Sequence, residues 1–344
     1  MQTLSFLTLL LDILLLLFFT PLSVSFPLPK ADPLTSSRSE KYFTIYRTAK
    51  FDMCEFKQKV VSFPSEYIKL IRAGNILPTI FLSTAGGKIT NPRLSFGDLL
   101  FPRILPVTTL IILLIMSSSM ILNDFFDFHI DFTNAKDRPL VKGTVSRPFA
   151  LILFVGHALT CEWLNTTYLP EQFRWITHLA LVLTSLYTPV VKKILLLKNI
   201  FCASLISFSV FFSAVVVSKG PLSLNPNFDL LVNLMNTIFF VTLNSEIMMD
   251  IRDIQGDTEW NIQTIPSVFG KDLSLKFCSF CLLLAMIINK KIWSLPLLLI
   301  SQMFLLYEVQ RNDFSETYYD RYFRGITLSL FVVLLECILF RIEH

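Results

Sequence analysis

The sequence predicts an all-α, polytopic membrane protein with about nine transmembrane helices. Three observations carry that expectation. First, 53% of the 344 residues are hydrophobic and only 16% are charged, with a mean hydropathy of +0.59, whereas an ordinary soluble domain has roughly a quarter of its residues charged. Second, the apolar residues recur in runs close to the roughly 17–25 residues that cross a bilayer as a helix. Third, two of those runs end in clusters of acids, a costly placement for charge beside hydrocarbon.

Taken in order, residues 4–20 are almost wholly apolar, and Ser23–Val24–Ser25 precedes Phe26 as a small-residue cleavage site. Residues 1–25 therefore read as a signal peptide or a retained signal anchor. Residues 26–66 read as a presequence or linker, rich in Pro, Ser, Thr, Lys and Arg as far as Lys50. An apolar signal, a Phe at the cleavage point and a basic hydroxylated stretch resemble the two-part presequences of algae with complex plastids. A plastid membrane is one expected location, and the endomembrane system is the other. In the body, residues 67–344, the runs predict helices over Ile68–Ser83, Leu99–Leu122, Phe149–Leu164, Trp175–Val190, Ile194–Val217, Leu230–Met249, Leu273–Asn289, Ile292–Tyr307 and Gly325–Phe340. Pro102 and Pro106 fall in the first turns of the second helix, where proline is best tolerated.

The run Thr108–Leu122 leads directly into NDFFDFHIDFTNAKDRPLVKGTVS, residues Asn123–Ser146. Asn123, Asp127 and Asp131 recur every four residues and so share one face of a helix, drifting by about 40° per step. The run Leu230–Leu243 leads into SEIMMDIRDIQGD, where Glu246, Asp250, Asp253 and Asp257 fall at steps of four, three and four and again share a face. A charged side chain at the bilayer centre costs roughly 2.5–3.5 kcal/mol on insertion scales, so two such clusters point to a neutralising ligand. Mg²⁺ suits that role, because it takes one or two carboxylates and completes its shell with water and substrate phosphate oxygens. Two acid-faced helix ends would bracket a diphosphate through such ions. A solvated helix end bearing a few acids is the plainer reading of either cluster alone.

The remaining pattern excludes other classes. The net charge of +4 comes from Lys and Arg scattered over many loops, with no basic stripe for nucleic acid. No phosphate-cradling glycine loop, zinc spacing or Ser–His–Asp order stands out. Cys278 and Cys281 form a C-x-x-C inside an apolar stretch, where core packing is expected rather than redox or zinc chemistry. His157 and His178 are expected to be packed or hydrogen-bonded. Nine spans place both acidic clusters on one side, and the loops of that side hold more Lys and Arg, which makes it cytosolic or stromal. A transporter is disfavoured by the same placement, since transporter sites lie near the midplane.

At these residues the chain resembles the intramembrane prenyltransferases of the UbiA superfamily. The first signature of that family is matched by Asn123, Asp124, Asp127, Asp131, Arg138, Pro139, Leu140, Gly143 and Ser146. The second is matched by Asp253, Asp257, Thr264, Pro266 and Gly270. Arg72-x-x-Asn75 and Tyr187-Thr188-Pro189 before Lys192–Lys193 and Lys198–Asn199 agree as well. The short spacing from Asp131 to Arg138 resembles the members that attach geranylgeranyl or phytyl chains: chlorophyll synthase, homogentisate prenyltransferases and digeranylgeranylglyceryl phosphate synthase. Asn261 departs from the pattern, standing where a glycine is usual.

The resemblance implies a UbiA-type bundle and Mg²⁺-dependent transfer of a prenyl group from an allylic diphosphate donor to an aromatic or other lipophilic acceptor in the lipid bilayer. It implies Asn123, Asp127, Asp253 and Asp257 as metal ligands. Arg138, Lys192, Lys193, Arg72 and Asn75 are the expected diphosphate-binding groups. Asp127, Asp131, Asp250 and Tyr187 are the expected catalytic groups. Asp131 and Asp250 would hold metal-bound water, orient the acceptor or act as base, while Tyr187, Phe125, Phe126 and Phe128 would offer aromatic faces to an allylic cation. The contrasting expectation, a catalytically silent membrane scaffold or lipid-binding protein, has no need of these acids, all of which are present.

Overall fold

The computed structural model describes residues 63–95, 97–98, 104–133, 137–187, 189–259 and 262–339. The signal or anchor expected over 1–25 and most of the 26–66 linker lie outside the described residues, as does Asn261. Among the described residues every regular element is helical: α1 (63–70), α2 (Ile76–Thr90), α3 (Ile104–Phe126), α4 (Phe128–Thr133), α5 (Arg147–Tyr168), α6 (Glu171–Tyr187), α7 (Leu197–Val217), α8 (Phe228–Arg252), α9 (Ile254–Glu259), α10 (Ile265–Phe269), α11 (Lys271–Ile288), α12 (Leu295–Arg311) and α13 (Glu316–Leu339). Nine of these are long, one for each predicted run. Five of them (α3, α5, α7, α8 and α13) are long and apolar enough to cross a membrane. The other four (α2, α6, α11 and α12) have 15, 17, 18 and 17 residues.

One element differs from expectation. Instead of a single helix over Ile68–Ser83, α1 ends at residue 70 and a short 3₁₀ turn, Ala73–Asn75, leads into α2. The break occurs at Arg72, whose backbone is left-handed with φ of 52°, a conformation that strains a residue carrying a Cβ. The following Gly74 weakens helical continuity further. Past the break, α2 runs on to Thr90.

Small residues on α2 explain how the bundle closes around it. A Cβ added to Gly86 would lie 2.2 Å from the Val210 carbonyl oxygen of α7, so the two helices meet backbone to backbone at that glycine. Ser83 Oγ lies 2.7 Å from both Thr109 Oγ1 of α3 and Ser213 Oγ of α7, a hydroxyl bridge of the kind that joins membrane helices where apolar burial supplies little drive. Around α2 the helices form two groups that share it. The sequence α2–α3–α5–α6 returns through α7, and α7–α8–α11–α12–α13 returns to α2. Apolar clusters fill both groups, one centred on Ile111, Cys161 and Leu181, the other on Leu231, Leu234, Ile247 and Leu282.

The alternation of direction puts the ends of α3 and α8 on the same side, together with the starts of α5, α7 and α11. At the opposite ends stand Trp163 and Tyr168 on α5, Trp175 on α6 and Trp293 before α12, all exposed. Aromatic side chains at one level of a bundle are what a membrane–water boundary favours. There too, Glu336 of α13 accepts hydrogen bonds from the Trp293 and Ser294 amides and so covers the start of α12. Cys278 and Cys281 are free and buried, with Cys278 Sγ donating to the Asn244 carbonyl. His157 and His178 are bonded to Tyr67 and Glu162. All four residues agree with the packing expected of them.

Candidate functional site

Each acidic segment lies across a helix break one residue wide. Asp127 separates α3 from α4, and Asp253 separates α8 from α9. The breaks are shallow. Asp127 N still donates to the Asn123 carbonyl at 2.8 Å, and Asp131 N donates to the Asp127 carbonyl at the same distance. Likewise Asp253 N reaches Met249 O at 2.9 Å and Asp257 N reaches Asp253 O at 3.2 Å. The helical register therefore carries through each break, and the acids keep the shared face that their spacing predicts. The two short helices α4 and α9 pack against each other, which brings the two acidic segments into one site.

The carboxylates are buried and met by cations. Asp124, Asp127, Asp131, Asp250 and Asp257 are all buried, Asp124 to 1% exposure. Arg72 Nη2 donates to Asp124 Oδ1 at 3.0 Å. Arg138 Nε lies 3.9 Å from both Asp124 Oδ1 and Asp131 Oδ2. Lys192 pairs with Asp127. Lys198 Nζ donates to Asp250 Oδ1 at 2.7 Å while Asn199 Nδ2 donates to Oδ2 at 2.9 Å, so both oxygens of Asp250 are held. Arg252 Nε meets Asp253 at 3.1 Å, nearer the surface. Removing one partner of a buried pair leaves an uncompensated charge, which costs about 3–5 kcal/mol. These are not incidental surface contacts.

Local structure explains the rest of both signatures. After Arg138-Pro139-Leu140 the chain turns through Gly143 at φ of 70°, and Ser146 caps α5 by accepting from the Phe149 amide. In the second, Thr264 caps α10 in a reciprocal box with Ser267, Pro266 sits in the first turn, and Gly270 at φ of 82° ends it. Both glycines occupy the left-handed region that L side chains resist.

Other expected residues stand in different settings. Asn75 is exposed and its side chain makes no cap bond; its carbonyl accepts from Thr79 Oγ1. Of Lys193 only the backbone is described, in the 3₁₀ turn Val191–Lys193. Tyr187 ends α6 and stacks on Phe201, with centroids 5.6 Å apart. Phe125 and Phe128 carry the Arg147 guanidinium on their faces, at 4.5 and 5.6 Å, and pack into the cluster of Leu122, Leu140 and Phe154. Lys198 and Asn199 were matched only as family letters; their part in the site rests on meeting Asp250 from fifty positions away.

The donor chemistry suits a hard cation. Asn123 and the carboxylates offer oxygen ligands only, and Asp257 Oδ2 is buried without a hydrogen-bond partner. Burial pushes the Asp257 carboxyl up to about 6, against the pull of Lys198 and with Asp250 adding to the rise. Among the described residues, no three His, Cys, Asp or Glu side chains gather as a ready-made metal site; Mg²⁺ ordinarily takes one or two carboxylates and completes its shell with phosphate oxygens and water.

Comparison with known proteins identifies the family. The model of the UbiA prenyltransferase family matches residues 83–319. A digeranylgeranylglyceryl phosphate synthase from Methanopyrus kandleri is 27% identical over 227 residues, 64% of this chain and 76% of that protein. One from Thermococcus sibiricus is 32% identical over 168 residues, 48% of this chain and 57% of that protein. Among solved structures, a digeranylgeranylglyceryl phosphate synthase superposes with a TM-score of 0.60 at 20% identity, covering 83% of this chain and all of the other. A UbiA homologue from Archaeoglobus fulgidus bound to GPP and Mg²⁺ superposes with a TM-score of 0.54 at 15% identity, covering 79% and 99%. The family match extends over more than half of the chain and contains both acidic segments. The protein is therefore an integral membrane enzyme that belongs to the UbiA prenyltransferase family and transfers a prenyl group from a prenyl diphosphate.

Proposed function

We propose that the protein transfers a geranylgeranyl-class chain, in a Mg²⁺-dependent reaction, to a lipophilic acceptor held in the bilayer. The observation that supports this most directly is the contact of the two acidic helix breaks, ringed by Arg72, Arg138, Lys192 and Lys198. Asn123, Asp127, Asp253 and Asp257 hold the metal in this reading, and bound Mg²⁺ supplies Lewis-acid neutralisation of the leaving diphosphate. Lys192 exchanges Asp127 for a diphosphate oxygen, as a flexible point charge does readily, while the arginines offer planar forks. Asp250, held on both oxygens, fixes the Lys198 ammonium at the other edge. The prenyl C1–O bond breaks with its electron pair going to the diphosphate. The acceptor atom then bonds to C1 and gives up its proton. Tyr187, backed by Phe201, presents an aromatic face to the allylic carbons and keeps water away.

For the acceptor, the matched relatives are named for a product with two geranylgeranyl chains on a glyceryl phosphate. A singly geranylgeranylated glyceryl phosphate is accordingly the first candidate here. Those relatives are archaeal and lend no weight to a plastid location.

The test uses purified protein in nanodiscs with Mg²⁺, labelled geranylgeranyl diphosphate and an acceptor panel that includes homogentisate and the glyceryl phosphate, with products identified by mass spectrometry. A prenylated product abolished by EDTA is the expected result and identifies the acceptor. Asp127→Ala and Asp253→Ala should each lose turnover while remaining folded. Unchanged turnover in both variants would refute the metal assignment.

A further inference from the structure

Asp124 is the most deeply buried acid of the site, yet it falls off the face shared by Asn123, Asp127 and Asp131. It sits one position past Asn123, about 100° around the helix. Its carboxylate is where two arginines from separate parts of the chain converge: Arg72 from the strained turn before α2, at 3.0 Å, and Arg138 from the loop after α4, at 3.9 Å. Neither arginine is exhausted by this contact. Arg72 uses Nη2 on Asp124 while its Nε is buried with no hydrogen-bond partner, and Arg138 Nε, at ion-pair distance from two carboxylates, also makes no hydrogen bond. Buried guanidinium donors left unspent are costly unless a ligand takes them. Two guanidinium forks side by side match the oxygens of a diphosphate.

We infer that Asp124 is a positioning residue, which holds Arg72 and Arg138 as a paired clamp for the donor's diphosphate rather than serving as a metal ligand. The inference rests on the reading of the site given above and assigns a separate task to the carboxylate adjacent to its metal-binding face. It also accounts for the left-handed backbone of Arg72, since the ion pair to a carboxylate 52 residues away holds that turn in place.

The experiment measures binding of inorganic diphosphate and the KM for geranylgeranyl diphosphate in wild type, Asp124→Asn and the Arg72→Lys/Arg138→Lys pair, each across a Mg²⁺ titration. Asp124→Asn keeps the shape and one acceptor oxygen but removes the charge. The expected result at saturating Mg²⁺ is a diphosphate affinity weaker by about tenfold or more, as loss of charge-assisted hydrogen bonds implies. The Mg²⁺ concentration giving half-maximal turnover should stay unchanged. Adding Asp124→Asn to the arginine pair should cause little further loss, because the clamp is already gone. A shift in Mg²⁺ requirement, with diphosphate affinity restored at high Mg²⁺, would overturn the inference and make Asp124 a metal ligand. Unchanged diphosphate affinity in a folded Asp124→Asn protein would overturn it too. If Asp124→Asn does not fold, the arginine pair decides: its diphosphate affinity must fall at constant Mg²⁺ requirement. Wild-type protein that binds no diphosphate with Mg²⁺ would instead defeat the functional reading beneath it.

Discussion

Asp257 illustrates how single residues in this site are tuned by their surroundings. Its carboxyl, ordinarily near 3.8, is raised to about 6 chiefly by burial. In the folded metal-free protein its charge is therefore a burden above pH 6, and that burden shrinks as pH falls through 6 and is gone only below the unfolded value of 3.8, where folded and unfolded states are both protonated. Asp257→Asn should stabilise the metal-free protein above pH 6, by at most about 3 kcal/mol from a shift of roughly two units, with the difference vanishing below about pH 3. Thermal unfolding of both proteins in detergent with EDTA checks this. Mg²⁺ binding at the proposed site would have the opposite sign, because it needs the ionised carboxylate. Mg²⁺ affinity should fall below about pH 6 in wild type. Asp250 has both oxygens held by Lys198 and Asn199, so Asp250→Asn should act on donor KM through Lys198, whereas Asp131→Asn should lower kcat if Asp131 takes the acceptor's proton, by roughly 10²-fold or more.

The elements divide into those that hydropathy makes legible and those it does not. Each of the nine runs became a helix because apolar length is a property of the local sequence, and the shifted ends came from polar residues that extend a helix into its cap, as at Thr90 and Arg252. The breaks at Asp127 and Asp253 left no trace in the periodicity, since the i→i−4 bonds around them survive. The break at Arg72 was illegible for a different reason: its partner, Asp124, lies on another helix. Close helix contact is likewise visible only in three dimensions. Gly86→Ala should force α2 and α7 apart against Val210, with a cost of roughly 1–3 kcal/mol from overpacking, readable as a lower melting temperature. Thr264→Ala, which removes the cap of α10, should cost about 1 kcal/mol by the same measurement, without altering Mg²⁺ dependence.

For the molecule as a whole, composition was enough to predict a polytopic membrane protein, and two acid spacings were enough to place both acidic segments of the proposed site on one side of the bundle. The spacings did not disclose which cation meets which acid. Lys192, Arg72 and Arg138 were expected to face a diphosphate, and in the structure each is engaged with a carboxylate. Lys198 and Asn199 joined them through Asp250.

That matching of cations to acids has a consequence for how the donor arrives. The interior sets Arg72, Arg138, Lys192 and Lys198 among a larger number of acids, a lattice of plus and minus rather than a basic funnel. A diphosphate carrying Mg²⁺ is itself close to neutral, so its entry swaps one set of partners for another and leaves the net charge of the cavity almost unchanged. Long-range attraction then contributes little to capture, and salt has little to screen. The donor's KM should change by less than about twofold between low and physiological ionic strength, a range over which a protein relying on electrostatic steering would slow severalfold. The enzyme would recruit its substrate by the greasy tail, delivered sideways through lipid, and would meet the charged head only once it is inside.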